Sequence, residues 1–126
     1  MICLDAWAIV AWLDDDTRVA TVVREALRDE GAVISWINVG EVAYIVERRR
    51  GGTQAETVVA AIRASCVLDP ATPERVLAAA SIKAAAAMSL ADAFAVATAR
   101  AFGARLATGD REIVGALASS EVIDLT

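Results

Sequence analysis

Histidine is absent from this chain of 126 residues, and its absence excludes several kinds of active site. Neither Ser-His-Asp nor Cys-His nucleophilic machinery can be built, and histidine acid–base catalysis is excluded as well. Only two cysteines are present, Cys3 and Cys66, which is too few for the usual zinc ligands. We expect both to be free thiols in buried strands, neither paired in a disulfide nor acting as nucleophiles. Any metal bound to this chain would therefore have oxygen ligands, which favours Mg²⁺ or Mn²⁺.

Long hydrophobic runs and an excess of basic residues are also lacking. No apolar run approaches the roughly 18 residues that cross a bilayer, and no basic segment precedes the short apolar run at the N-terminus. We therefore expect no membrane segment, no signal peptide and a cytoplasmic protein. The net charge of −5 is not typical of a domain that relies on non-specific affinity for nucleic acid. It suits a site that gathers cations or a surface that meets a basic partner.

The residues that are present indicate a single α/β domain over residues 1–126, with 57% apolar composition to build its core. Short apolar runs that predict strands alternate with helical patterns, one of which we expect to begin at Thr53 as its N-cap. This alternation predicts a parallel sheet covered on both faces, a three-layer α/β/α architecture. The predicted strands are residues 1–4, 32–35, 66–68, 105–107 and 122–125. The predicted helices are residues 6–13, 17–28, 36–50, 53–64, 73–87, 90–102 and 111–118.

Four carboxylates stand singly at the edges of apolar elements: Asp5, Glu41, Asp92 and Asp110. Asp5 follows the first predicted strand and Asp110 the fourth, so both would lie in one crevice if those strands are neighbours. Glu41 and Asp92 lie early in helices and could point into the same crevice. Carboxylates this crowded need a cation, and a divalent metal there would suit phosphodiester hydrolysis.

Each of these acids also has a purely structural interpretation. Asp92 lies three residues after Ser89, so the pair could form a capping box, and Asp110 could cap the last helix. Glu41 could lie at the polar margin of its helix. The basic run 48–50 at the end of that helix is consistent with a solvated helix end or with an RNA-facing patch.

Four segments in order resemble the PIN domain, and in particular the VapC-type toxins of bacterial toxin–antitoxin pairs. The resemblance covers the whole chain and rests on the order and spacing of these segments. It implies a five-stranded sheet in the order 3-2-1-4-5, Mg²⁺-dependent endoribonuclease activity, a homodimer, and a cognate antitoxin that blocks the site. The segments are Leu4-Asp5, Asn38-Val39-Gly40-Glu41, Leu90-Ala91-Asp92-Ala93 and Ala107-Thr108-Gly109-Asp110-Arg111-Glu112-Ile113.

The same resemblance implies a role for each acid. Asp5, Asp92 and Asp110 would be metal ligands. Glu41 would bind metal or position water, and Glu112 is a candidate ligand for a second metal.

Two uncharged residues are also implied in the site, and one residue departs from the pattern. Thr108 would support the site through its hydroxyl, and Asn38 would contact the site or the substrate. Trp7 stands where the family usually has Ser or Thr two residues after the first Asp. The missing hydroxyl keeps a second hypothesis open, a partner-binding module with weak catalysis. A nucleophilic-aspartate phosphatase is less favoured, because Asp5-Ala6-Trp7 lacks the second acid such enzymes need.

Overall fold

The computed structural model describes residues 1–126. Its strands are β1 (Ile2–Leu4), β2 (Ala32–Ser35), β3 (Val67–Asp69), β4 (Arg105–Thr108) and β5 (Val122–Asp124). Its helices are α1 (Ala6–Leu13), α2 (Thr17–Glu25), α3 (Trp36–Arg50), α4 (Gly52–Ser65), α5 (Pro73–Ala85), α6 (Leu90–Ala101) and α7 (Arg111–Ala116). A π-helical turn, Ala26–Glu30, follows α2, and a short 3₁₀ turn, Ser119–Glu121, precedes β5.

The five strands form one parallel sheet in the order β3-β2-β1-β4-β5, which confirms the predicted topology. In the register of the sheet, Cys3 of β1 lies opposite Val33 of β2 and Leu106 of β4. Because β1 and β4 are neighbours and parallel, their carboxyl ends meet at one edge. The residues that follow the two strands are therefore brought together.

Successive residues of β1 point to opposite faces of the sheet and supply two separate halves of the core. Ile2 and Leu4 pack in a cluster with α1, α2, α3 and α4. Cys3 packs in a second cluster with α5, α6 and α7. Helices thus cover both faces, and the three-layer prediction is confirmed.

Helix α6 is the most deeply buried helix. Every residue from Ala93 to Ala99 is buried, because alanine alternates there with larger side chains and allows close approach to the sheet. Its N-cap is Ser89, whose Oγ accepts a hydrogen bond from the Asp92 amide at 3.1 Å. This confirms the predicted cap and fixes Asp92 in the first turn of the helix.

Several element boundaries differ from the sequence prediction. Gly51 has a φ of +90°, which ends α3 and separates it from α4. Helix α4 begins at Gly52, so its N-cap is Gly51 and not Thr53. Strand β3 is displaced by one residue because its pairing with β2 places Asp69 opposite Ser35. The helix predicted over 17–28 changes to a π-helical turn at Ala26.

Taken one at a time, the helices are too short or too polar to cross a membrane. Helices α5 and α6 reach the length and hydrophobic composition of a membrane span only when they are counted together, and they are bent by 117° relative to each other.

Candidate functional site

A cleft of about 590 Å³ opens between α1 and α3 at the carboxyl ends of β1 and β4. The four carboxylates singled out in the sequence all line it: Asp5, Glu41, Asp92 and Asp110. Each comes from a different part of the chain, and the β1–β4 pairing explains why Asp5 and Asp110 meet. The structure therefore places the predicted carboxylates around one opening.

Asp5 is held from both sides. It is 3% exposed and is the N-cap of α1, where its Oδ1 accepts a hydrogen bond from the Ala8 amide at 2.8 Å. Its Oδ2 accepts a hydrogen bond from the hydroxyl of Thr108, the last residue of β4. Thr108 thus links the end of β4 to the residue that follows β1.

Asp110 is fixed by the same hydroxyl and by the helix that follows. Its amide donates to Thr108 Oγ1 at 3.0 Å. Its Oδ1 accepts hydrogen bonds from the amides of Glu112 at 2.8 Å and Ile113 at 3.3 Å, so Asp110 is the N-cap of α7. Asp110 therefore caps a helix and lines the cleft at the same time, so the capping interpretation and the metal-site interpretation of this residue are compatible.

Asp92 lies beside Asp110 and Glu112. One carboxylate oxygen from each of the three residues can be chosen so that all lie within 4.8 Å of one another. Asp92 and Asp110 are partly buried and Glu112 is exposed. Such a spacing of oxygen atoms fits a hard divalent cation, which takes carboxylate and water ligands.

Asn38 connects α3 to α6 beneath the cleft. Its Nδ2 donates to Glu41 Oε2 at 2.9 Å and to the carbonyl oxygen of Ala91 at 3.1 Å. Asn38 is fully buried and does not line the cleft, so its contact is with Glu41 and not with the space a substrate would enter. Its Oδ1 is buried without a hydrogen-bond partner.

The surroundings of the clustered carboxylates disfavour their ionised forms. Burial raises the pKa of Asp5 to about 7, against hydrogen bonds from Thr108 and Ala8 that lower it. Burial also raises the pKa values of Glu41 and Asp92, and the charge of Asp110 adds to both shifts. A cation would remove this penalty, and the all-oxygen donor set fits Mg²⁺ or Mn²⁺.

Trp7 is the side chain at this site whose placement the sequence left unspecified. Three atoms of its six-membered ring, Cζ2, Cη2 and Cε2, would lie 2.2, 2.3 and 2.5 Å from a Cβ built at position 109. Only the glycine present there, Gly109, leaves room for the ring. The Trp7 indole therefore packs on the turn between β4 and α7.

The far end of the cleft is charged. Arg49 of α3 lines it and pairs with Asp14, with 3.1 Å between Nη1 and Oδ2, and Arg50 pairs with the same carboxylate at 3.6 Å. Asp14 and Asp16, in the turn between α1 and α2, also line the cleft, and Asp16 caps α2.

The PIN domain family model matches residues 2–116, and the chain belongs to this family. No curated protein matches the sequence significantly.

Solved structures share the fold at low sequence identity. A VapBC complex from Rickettsia felis, bound to a DNA fragment from its promoter, is 13% identical with a TM-score of 0.78, covering 100% of both chains. A toxin–antitoxin complex from Klebsiella pneumoniae is also 13% identical, with a TM-score of 0.77, and the match covers 98% of this chain and 96% of that one. A sarcin–ricin loop cleaving VapC toxin from Mycobacterium tuberculosis is 22% identical with a TM-score of 0.72, covering 92% and 95%.

Proposed function

We propose that this PIN domain is a Mg²⁺- or Mn²⁺-dependent endoribonuclease that serves as the toxin of a toxin–antitoxin pair. The observation that carries the proposal is the convergence of Asp5, Glu41, Asp92 and Asp110 on one cleft. Burial keeps three of these carboxylates poorly solvated, which is the condition in which a bound cation stabilises them most. Membership of the PIN family and likeness in fold to VapC toxins support the same activity.

Each side chain has a specific part in this proposal. Asp92 and Asp110 would hold the cation together with Asp5, which lines the same cleft. The exposed Glu112, whose carboxylate groups with those of Asp92 and Asp110, would be available to a second cation. When bound, the cation supplies an activated water and neutralises the charge that develops on the leaving oxygen. Glu41 would serve as the general base for an attacking water through Oε1, since its Oε2 accepts a hydrogen bond from the amide of Asn38.

Thr108 and Asn38 orient the acids. The Thr108 hydroxyl holds Asp5 Oδ2 while accepting from the Asp110 amide, so two of the ligands keep a fixed spacing. Asn38 fixes Glu41 relative to the first turn of α6, which carries Asp92. Such outer partners tune affinity and activity without touching the metal.

The partners in this proposal are an RNA substrate, a cognate antitoxin and a second copy of the chain, all in the cytoplasm. The structures that share the fold include a toxin–antitoxin complex and a VapBC complex bound to DNA. A basic antitoxin segment suits the net charge of −5, and an arginine could occupy the cation position by pairing with the carboxylates. Light scattering at micromolar concentration tests the dimer. A strictly monomeric mass would contradict it.

The activity is tested by incubating the protein with a broad pool of transcripts in Mg²⁺, in Mn²⁺ and in EDTA. We expect cleavage with either metal, none in EDTA, and a loss in Asp92→Asn larger than the about 10–100-fold typical of an outer partner. Asp15→Asn is the matched control, because Asp15 is exposed, does not line the cleft and has a φ of +62° that asparagine tolerates. Intact transcripts under every condition would instead favour the partner-binding module.

A further inference from the structure

Trp7 presents one face of its indole to the protein. The near-equal distances from three adjacent ring atoms to a Cβ at position 109 place that Cβ over the ring face, because an edge-on approach could not be close to all three. Gly109 therefore lies beneath the six-membered ring. Trp7 lies two residues after Asp5 and packs on the residue before Asp110, and both carboxylates line the same cleft as Trp7.

Trp7 also contributes surface to the cleft. Trp7 is 36% exposed and is the aromatic residue of the cleft lining. Next to it on the same side of α1 lie Val10 and Ala11, three and four residues further along, and Ile45 of α3 lies across the opening. An open apolar surface thus borders the carboxylate cluster.

We propose that the open face of Trp7 is a stacking platform for a nucleobase of the RNA strand whose phosphate enters the carboxylate cluster. This inference rests on the proposed nuclease function and adds a residue that determines how substrate binds. Bases that are not stacked in a duplex stack on aromatic side chains, and such contacts tolerate any base. Trp7 lines the same cleft as the proposed ligands Asp5 and Asp110, so a nucleotide whose phosphate enters the cluster can place its base on the indole.

The charge of the cleft favours such a contact. The chain has one lysine, eleven arginines and a net charge of −5, and six of the twelve residues that line the cleft are acids. The one cation of the cleft lining, Arg49, is paired with Asp14. Phosphate contacts supply much of the affinity of ordinary nucleic-acid-binding proteins. Basic side chains that could make them are scarce in the cleft lining, so stacking takes a larger share of RNA binding there.

The kinetic test compares Trp7→Leu with Trp7→Phe on an RNA that the wild type cleaves. We expect Trp7→Leu to raise KM about tenfold with little change in kcat, and Trp7→Phe to stay close to wild type, because stacking is a binding contact. An abasic nucleotide is then moved along the substrate. At one position beside the scissile bond, the abasic nucleotide should raise the KM of the wild type about tenfold. At the same position it should not raise the KM of Trp7→Leu any further, because that variant has already lost the stacking contact. Unchanged KM in Trp7→Leu, or no sensitive abasic position in wild type, overturns the inference.

A binding measurement separates this inference from the proposed activity. Short mixed-sequence single-stranded RNA is added in Ca²⁺, and indole fluorescence is followed in wild type, Trp7→Phe and Trp36→Phe. Trp36 is the matched control, because it lies against Arg63 and outside the cleft. Quenching that Trp36→Phe keeps and Trp7→Phe loses supports stacking even if no RNA is cleaved, in which case the nuclease proposal alone fails. Absence of Trp7 quenching by RNA, or quenching only by an arginine-rich peptide, overturns it.

Discussion

Asp5 combines three structural features in one residue of this site. It caps α1, accepts the Thr108 hydroxyl and lies almost entirely out of solvent. The hydrogen bonds favour its ionised form, but burial dominates and raises its pKa from the ordinary 3.8 to about 7. The folded protein therefore holds a proton on Asp5 in a pH range where the unfolded chain has released it.

This difference predicts a pH dependence of stability for the metal-free protein. Between about pH 4 and pH 7 the folded state binds more protons at Asp5 than the unfolded state, so the free energy of unfolding should fall as the pH rises through this range. Each pKa unit is worth about 1.4 kcal/mol, so the loss amounts to a few kcal/mol at most. Urea unfolding in EDTA at a series of pH values measures it.

Asp5→Asn is the control for this titration. The variant should show a smaller decline, retaining only the contributions of Glu41 and Asp92, whose pKa values are raised in the same direction. A metal-free wild type whose stability rises steadily from about pH 4 to about pH 7 would contradict the raised pKa of Asp5.

Asn38 gives a second prediction at this scale. In Asn38→Ala, Glu41 and the Ala91 carbonyl lose their donor, which should cost about 1–3 kcal/mol of stability and reduce RNA cleavage. Thr98→Val is the control, since it removes a buried hydroxyl that donates to Asp69 at 2.7 Å away from the cleft. If both variants lose stability and cleavage equally, Asn38 is structural and does not orient Glu41.

Among the elements, α1 and the turn between β4 and α7 are coupled through Trp7 and Gly109. Gly109→Ala introduces a Cβ within 2.2 Å of the indole, so the ring or the turn must move. We expect a cost of about 1–3 kcal/mol, as for other overpacked sites. In a Trp7→Ala background the same change should cost much less, because the obstructing ring is gone. Urea unfolding of the four proteins measures this coupling, and additive costs would contradict the stacked geometry.

The limits of sequence reasoning are clearest for these elements. The predicted starts of α3 at residue 36 and of α5 at residue 73 agree with the structure, because the caps Ser35 and Thr72 directly precede them and caps are encoded by neighbouring residues. The start of α4 was wrong because Thr53 has the chemistry of a cap but Gly51 has the backbone conformation. Alternation of strands and helices predicts layers, whereas the strand order came only from the family resemblance.

The site was predictable to the extent that it follows strand ends. Asp5 and Asp110 meet because β1 pairs with β4. Neither the stacking of Trp7 on Gly109 nor the burial of Asn38 has a local signal, because each depends on a segment distant in the chain. The same holds for Asp69, whose buried carboxylate accepts from Arg75 and Thr98 and received no role from the sequence.

For the whole molecule, the central claim is that one fold brings acids from four segments together to hold a cation. The charges repel one another when the site is metal-free, so the fold is stabilised by whatever neutralises them. Capping alone makes a different prediction, since asparagine caps a helix about as well as aspartate. The two accounts diverge only when metal is added.

Thermal unfolding of wild type, Asp92→Asn and Asp110→Asn, each in EDTA and in millimolar Mg²⁺ or Mn²⁺, tests this claim most directly. In EDTA the variants should be as stable as wild type or slightly more so, because one charge has left a crowded cluster. With metal at 100 times its Kd, wild type should gain about 2.7 kcal/mol, a rise of several degrees in Tm, and the variants should lose most of that gain. Asparagine variants that keep the full metal-dependent rise would show that Asp92 and Asp110 are helix caps and do not bind the cation.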